Sequence, residues 1–398
     1  MALFSRLRPK NRGADAAAIS PQVPEAKASR TGPLIALSSA GRPVWTPRDY
    51  AALAREGFSR NAVVYRSVRM IAEAAGSVSW LLHDGAREFD AHPLLDLLAR
   101  PNPRQSGNAF LEEVIGALMI AGNAYVEAVG LDGDVRELHA LRPDRMKVVP
   151  GTDGWPAAYE YTVAGRTVRF DQVGSTPPIL HLSLHNPTND HYGFPPIEAA
   201  QVAIDIHNAA GSWAKALLDN SARPSGALVY QAREGGNLTE EQFERLKKEL
   251  EEGFAGAGNA GRPLLLEGGL DWKQMGLSPQ DMDFIEAKNL AAREIALAFG
   301  VPPMLLGIPG DNTYANYREA SRAFWRQTVL PLVRRTASSL SAWLAPTFGE
   351  RLRLSADLDA IEALSGEREA LWRRVSAADF LTDDEKREAL GYGARKAD

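Results

Sequence analysis

Apolar positions along this chain recur with two different periods, and the switch between them lays out its organisation. Helical spacing runs from about Thr46 to Trp80. Thr46, Pro47 and Asp49 give a start signal: a threonine cap, proline at the first helical position, and an acidic side chain in the first turn. Residues 92–99 read as a short helix closed by Arg100-Pro101-Asn102-Pro103, and residues 109–120 as a longer apolar helix that Gly122-Asn123 ends. From Ala124 the period becomes two. Tyr125-Glu127-Val129, Val135-Glu137-His139, Met146-Val148, Tyr159-Tyr161-Val163 and residues 179–185 are predicted strands, with Gly- and Asp-bearing turns between them.

Pro195-Pro196 opens a helix to about Asn220 that carries two apolar stripes. One is Ile197, Ala200, Ile204, Gly211, Ala214 and Leu218; the other is Val202, Ile206, Ala209, Trp213 and Leu217. A helix apolar on more than one face is covered on more than one side, by the chain's own core or by neighbouring subunits. Small residues on one stripe permit close approach. Strands are predicted at 223–230, 263–267 and 271–275, with a charged helix from Thr239 to about Gly253 between the first two. Ser278-Pro279 starts a helix to Phe299 with Phe284, Ala287, Ala291, Ile295 and Ala298 as its stripe, and Gly300-Val301-Pro302-Pro303 stops it. After a loop rich in Pro, Gly and Asn, a long helix is predicted over 314–345. Pro331 lies inside it, and an interior proline forces a kink or a break. From Leu358 the chain reads as two or three small helices.

Composition narrows the function classes. The 398 residues are 45% hydrophobic and 24% charged, an ordinary globular balance. That length allows one large domain or two to three smaller ones. Fifty acidic against 45 basic residues give a net charge of −5. A surface that grips duplex DNA by its phosphates carries a basic excess, so tight nonspecific DNA binding by the whole surface is not expected. Passage of DNA along a non-adhesive wall is compatible with the charge. The chain has no cysteine, which excludes disulfides, thiolate zinc sites, iron–sulfur clusters and cysteine nucleophiles. Its longest near-continuous apolar run, 114–126, is interrupted at Gly122 and Asn123 and falls short of the roughly 20 residues that cross a bilayer. Residues 1–12 are basic but lack a following apolar core, so no signal peptide is expected. Residues 1–43 read as a disordered basic arm whose Arg6, Arg8, Lys10 and Arg12 are available to nucleic acid or an acidic partner.

No motif establishes a catalytic or cofactor site. Gly256-Ala257-Gly258-Asn259-Ala260-Gly261 matches a dinucleotide fingerprint in letters. That fingerprint needs a strand before it and a helix after it, so that a helix N-terminus meets the pyrophosphate; here the order is inverted. His181, His185 and His191 form the one histidine cluster. On a strand, His181 and His185 sit roughly 13 Å apart, too far for one ion. The carboxylate runs at Glu112-Glu113, Asp281–Asp283 and Asp383-Asp384-Glu385 sit in no recognisable catalytic frame.

Several short motifs, in shared order and spacing, resemble the portal (head-to-tail connector) proteins of tailed bacteriophages and their relatives in gene transfer agents. They are His92-Pro93-Leu94-Leu95 with Pro101-Asn102-Pro103; Gly122-Asn123-Ala124-Tyr125; Leu141-Arg142-Pro143-Asp144-Arg145; Gly193-Phe194-Pro195-Pro196-Ile197; Ala222-Arg223-Pro224-Ser225-Gly226; and Phe299-Gly300-Val301-Pro302-Pro303 with Leu305-Leu306-Gly307. Leu381-Thr382-Asp383-Asp384-Glu385 follows the family only loosely, and the chain is short, which implies a small crown. The resemblance implies an α+β portal fold: a wing over 44–194, stem helices over 195–220 and 278–300, and between them a clip over 221–277. It further implies a tunnel loop over 301–316, a kinked wing helix over 314–345 and a crown over 346–398. Pro302, Pro303, Met304, Gly307, Pro309, Gly310, Asn312 and Thr313 would face the DNA channel; Ile204, Trp213, Leu217, Phe284 and Ile295 would pack the stem of the ring.

The implied protein is a ring, usually of twelve subunits, at one capsid vertex of a virion or phage-like particle assembled in the bacterial cytoplasm. Its implied partners are other copies of itself, double-stranded DNA in the channel, the terminase large subunit, the major capsid protein and a head-completion or adaptor protein, with no membrane, cofactor or metal and no enzymatic activity. Two other readings stay open on the residues: a nucleotide-binding enzyme using Gly256–Gly261, and a monomeric adaptor or scaffold protein.

Overall fold

The computed structural model describes residues 46, 50–85, 87–131, 134–219, 226–230, 239–241, 244–245, 248, 270–274, 284–310, 314–349 and 351–393. The chain divides into two compact units, one formed by Arg42–Ala222 with Leu277–Asp398 and the other by Met1–Gly41 with Arg223–Gly276. The basic arm, the glycine-rich segment 256–261 and the strand expected at 263–267 lie outside the described residues.

In the larger unit a short helix α1 (Tyr50–Leu53) runs into a π-helical turn, Ala54–Ser59, and then α2 (Ala62–Gly76). Of the start expected at Thr46-Pro47 with Asp49, residues 47–49 lie outside the described residues, and Thr46 itself donates from its hydroxyl and its N–H to the carboxylate of Asp205. The cap that matters is Asn61. Its side-chain oxygen accepts from the N–H groups of Val63 and Val64 at 3.1 and 3.2 Å. This fixes the amide so that Nδ2 reaches Nδ1 of His207 at 3.1 Å and donates to Oδ1 of Asn208 at 2.9 Å. One buried asparagine thus starts α2 and ties it to a helix 146 residues away.

The expected helical stretch to Trp80 ends early. Trp80–Asp84 is a strand, β1, paired with β2 (Arg87–Phe89). Next come α3 (Pro93–Ala99), capped by His92, and α4 (Gly107–Ala121), capped by Ser106. Helix α4 packs on α2 at the centre of the main apolar core, through Phe110, Val114, Ile115 and Leu118. Asn102, from the Pro101-Asn102-Pro103 motif, is buried and donates to the carbonyl of Leu138 at 3.0 Å, while the Leu138 N–H donates to Pro101.

Two three-stranded antiparallel sheets follow. β3 (Asn123–Leu131) lies between β4 (Asp134–Leu141) and β8 (Ile179–Ser183), pairing Val126 with both Ala140 and Leu180. β6 (Pro156–Val163) lies between β5 (Met146–Pro150) and β7 (Arg166–Asp171). The first half of β3 is buried throughout, so strict alternation is lost there.

Helix α5 (Pro196–Ala199) breaks at Ala200 before α6 (Gln201–Asp219), where one continuous helix was expected. In the smaller unit, β9 (Gly226–Tyr230) pairs antiparallel with β10 (Leu270–Gln274), and Glu240, Glu241, Glu244, Arg245 and Lys248 are helical.

The larger unit resumes with α7 (Phe284–Ala298), packed on α6. The long helix predicted around Pro331 is two helices, α8 (Tyr314–Phe324) and α9 (Leu330–Phe348), joined by a π-helical turn at Trp325–Val329. Proline has no N–H and its ring crowds the preceding turn. The widened turn lets Pro331 sit at the start of α9, where a missing N–H costs nothing. After α9 comes a strand the periodicity did not reveal, β11 (Leu352–Ala356), paired with β1 through Leu354 and Leu82. The boundary expected at 346 therefore falls inside α9, and residues 352–356 belong to the sheet of β1. The chain ends in α10 (Ser365–Ser376) and α11 (Asp383–Leu390), the latter opened by a Thr382–Glu385 capping box. Asp359 braces them, accepting from Arg368, Trp372 and Tyr392. The Arg368 guanidinium, more than the other donors, holds its carboxyl down at about 2.

Candidate channel loop and ring-packing surface

Helices α6 and α7 decide where the two predicted stripes go. The first stripe turns inward at its N-terminal end: Ile197, Ala200 and Ile204 sit in the main core with Ala291 and Ile295 of α7. Ile204 is 2% exposed and Ile295 0%, so both are used up by the chain's own packing and offer nothing to a neighbour. The second stripe turns outward: Val202, Ile206 and Ala209 are exposed and Trp213 is half-buried. On α7 the sequence pattern missed the outward face altogether. Leu290 and Leu297, seven residues apart on one face, are 54% and 79% exposed. The side chains of Leu217 and Phe284 lie outside the described residues. Periodicity alone separates the two stripes but cannot say which of them meets the core.

The loop after α7 is less open than its Pro and Gly content predicts. Gly300 takes a left-handed conformation (φ 66°) and Val301 turns back into the core, its N–H donating to Ala296 at 2.9 Å. Pro303–Leu306 form a 3-10 turn closed by left-handed Gly307. Ile308 is buried against Ala292 and Ala296. Pro302, Pro303 and Met304 are half-buried; the exposed residues are Gly307, Pro309 and Gly310. Asn312 and Thr313 lie outside the described residues. The π-helical turn before Pro331 touches this loop, with the Thr328 hydroxyl donating to the carbonyl of Gly300 at 2.5 Å.

The Gly122-Asn123 and Gly193-Phe194-Pro195 motifs meet in space. Gly122 caps α4 with φ 69°, and its carbonyl accepts the N–H of Leu184 at 2.8 Å. Asn123 Oδ1 accepts the Gly193 N–H at 2.8 Å and also bonds Nε2 of His181 at 3.0 Å. The ring of His181 stacks on Tyr125, centroids 4.4 Å apart, and its Nδ1 faces the Tyr159 hydroxyl at 3.3 Å. Both ring nitrogens are therefore engaged by protein groups. Burial, with a smaller contribution from His191, pushes the His181 pKa down to about 4, and burial pushes that of Tyr159 up to about 12. Among the described residues no group of three or more His, Cys, Asp or Glu side chains is placed to hold a metal ion, and no helix is long and apolar enough to cross a membrane.

The depressed His181 pKa makes stability depend on pH. The unfolded chain takes up its proton near pH 6.5 and the folded chain only near 4. Stability is complete above about 6.5 and falls by up to about 3 kcal/mol as the pH drops towards 4. Urea midpoints at pH 7 and 4.5 should separate more in the parent protein than in His181→Gln. Equal separation in the two would remove His181 as the cause.

Comparison with known proteins agrees along nearly the whole chain. A family model described as phage portal protein matches residues 62–391. An uncharacterized protein of Rickettsia bellii is 44% identical over 340 residues, covering 84% of this chain and 88% of its own length. The portal protein of Enterobacteria phage HK97 is 26% identical, covering 77% of this chain and 71% of its own. Among solved structures, a chain in the neck of an empty gene transfer agent (GTA) particle, computed with C6 symmetry, is 56% identical with a TM-score of 0.70. It covers 90% of this chain and 98% of that one. A chain in the neck of a native GTA particle, computed with C12 symmetry, is 55% identical with a TM-score of 0.67, covering 90% and 97%. An HK97-family phage portal protein from Corynebacterium diphtheriae shares the fold at 16% identity and a TM-score of 0.56, covering 79% and 98%.

Proposed function

This chain belongs to the phage portal protein family, and from that premise we propose that copies of it close into a ring at the neck of a phage-like particle and form the channel through which double-stranded DNA enters and leaves. It is a structural component of such a particle and not an enzyme. The observation that carries the reading is the similarity, at 55% identity over 97% of that chain, to a component of a GTA neck computed with C12 symmetry. A gene transfer agent is the kind of particle this favours, and twelve the number of subunits.

The surface agrees with a ring. Helices α6 and α7 carry Val202, Ile206, Leu290 and Leu297 outward, where the chain's own fold leaves them exposed. Exposed apolar rows on a packed helix pair are the surface a neighbouring subunit covers. In this reading α6 and α7 are the stem. The 301–316 loop is the tunnel loop, its Pro309-Gly310 tip offered to the channel and its first half anchored by Val301 and Ile308. Residues 221–277 are the clip that meets the terminase large subunit and a head-completion or adaptor protein, and the major capsid protein surrounds the ring. The net charge of −5 suits a wall that does not hold phosphate.

Electron microscopy of the purified protein, with its solution mass, tests this. Rings with an axial opening wide enough for duplex DNA are expected. A single-chain mass at every concentration, with no rings even beside capsid protein, would overturn it.

A further inference from the structure

Arg293 stands on the outward face of α7 and reaches the loop that follows this helix. It comes three residues after Leu290 and four before Leu297, a spacing that puts all three side chains on one face. Leu290 and Leu297 are 54% and 79% exposed, and Arg293 is exposed between them. Two leucines with an arginine in the middle thus form the face that the ring reading gives to a neighbouring subunit.

The guanidinium bends back to its own chain, where Nη2 donates to the carbonyl of Pro309. The fit is close. A Cβ at Gly310 would lie 2.6 Å from Nη2, so the guanidinium occupies the space that any side chain at 310 would need. Two other ties hold earlier parts of the loop: the Thr328 hydroxyl donates to the carbonyl of Gly300, and Ile308 is buried against Ala292 and Ala296. Beyond Ile308 the exposed Pro309-Gly310 tip is held, among the described residues, by the hydrogen bond from Arg293.

In a single chain water competes for both partners of this bond, and its net worth is small. A neighbour that covers Leu290 and Leu297 covers the stem of Arg293 with them. Unlike the leucines, the guanidinium cannot give up water without an acceptor, and the Pro309 carbonyl is an acceptor already in place. With water excluded the same bond is stronger. The link runs both ways: closing the ring fixes the tip, and a fixed tip offers the neighbour an arginine that is already paired. We propose that Arg293 is a positioning residue that ties the loop to ring closure, holding the Pro309-Gly310 tip in place where a neighbouring subunit covers α7. The inference rests on the ring reading above and adds that the subunit contact sets the tip of the loop.

The chain has no cysteine, so a single nitroxide label can be placed at the tip through Pro309→Cys, which keeps the backbone carbonyl that Arg293 uses. Its mobility is read by electron paramagnetic resonance in rings confirmed by microscopy, and in single chains below the assembly concentration. The label should tumble more slowly in rings than in single chains, by about threefold or more. Arg293→Met should return the rings to the single-chain value. Gly310→Ala should do the same, because the new methyl group displaces the guanidinium. Arg293→Lys, which still donates to a carbonyl, should restore most of the slowing. Equal mobility in rings with Arg293 and with Arg293→Met overturns the tie and leaves the ring reading standing. A label as slow in single chains as in rings overturns it too, since the tip would then be held without a neighbour. Arg293→Met chains that fold but close no rings would show that Arg293 holds the neighbour and not the loop, which also sinks the inference. A parent protein without rings overturns the ring reading and this tie together.

Discussion

Gly193→Ala is expected to leave little folded protein. A Cβ at Gly193 would lie 2.1 Å from the carbonyl oxygen of Gly122 and 2.6 and 2.8 Å from the N and O of Leu184. All three are backbone atoms, so no side-chain rotation relieves the clash. Making room breaks the bonds that hold the junction, Leu184 N–H to Gly122 and Gly193 N–H to Asn123. Overpacking typically costs about 1–3 kcal/mol and more where, as here, only backbone can move, and each buried polar group left unpaired adds about 1–3 kcal/mol. Against a total stability of about 5–15 kcal/mol, the urea midpoint read by circular dichroism should collapse. Gly116→Ala, inside α4 with nothing within 4 Å of the new methyl group, is the control. It should raise the midpoint slightly, by about 0.5–1 kcal/mol of stability. A Gly193→Ala midpoint equal to the parent's would show that the two loops separate freely and that the junction does not hold the fold.

The second large effect falls on assembly and spares the fold. Leu297→Glu places a carboxylate where the side chain is 79% exposed in the single chain, so melting should stay within a degree or two of the parent. In a ring whose neighbour covers this face, the same carboxylate is buried without a partner. An uncompensated buried charge costs about 3–5 kcal/mol, and the cost recurs at every interface. Light scattering and microscopy should find single chains or small fragments where the parent gives rings. Leu290→Glu, on the same face, should act alike. Intact rings from both variants would move the subunit contact off the outer face of α7.

Much of the organisation was legible without coordinates because it rests on local rules. Helices α3 and α4, strands β3 to β6 and β8, the stop at Gly300 and the interruption at Pro331 follow from periodicity, capping and the chemistry of proline and glycine. Strands β1, β2, β7 and β11 were not legible. They span three to six residues each, and β11 pairs with β1 across 268 residues between Asp84 and Leu352, so β11 is a strand through a partner that no local pattern announces. Thr46 makes a tie that no local pattern holds: its hydroxyl donates to Asp205, 159 residues away.

The candidate surfaces divide the same way. From its sequence alone this chain shows its α+β class, the doubly apolar helix after Pro195 and, through short motifs in order, its portal resemblance, because each depends on neighbours within a few turns. Folding decided the rest. It sent Ile204 and Ile295 inward and Val202, Leu290 and Leu297 outward, tied the loop after Gly300 to the core through Ile308, and brought Gly122 against Gly193. A helical stripe records which residues share a face. Which face the core takes is settled by the free energy of packing against elements far away in the chain, and that is information no local pattern holds.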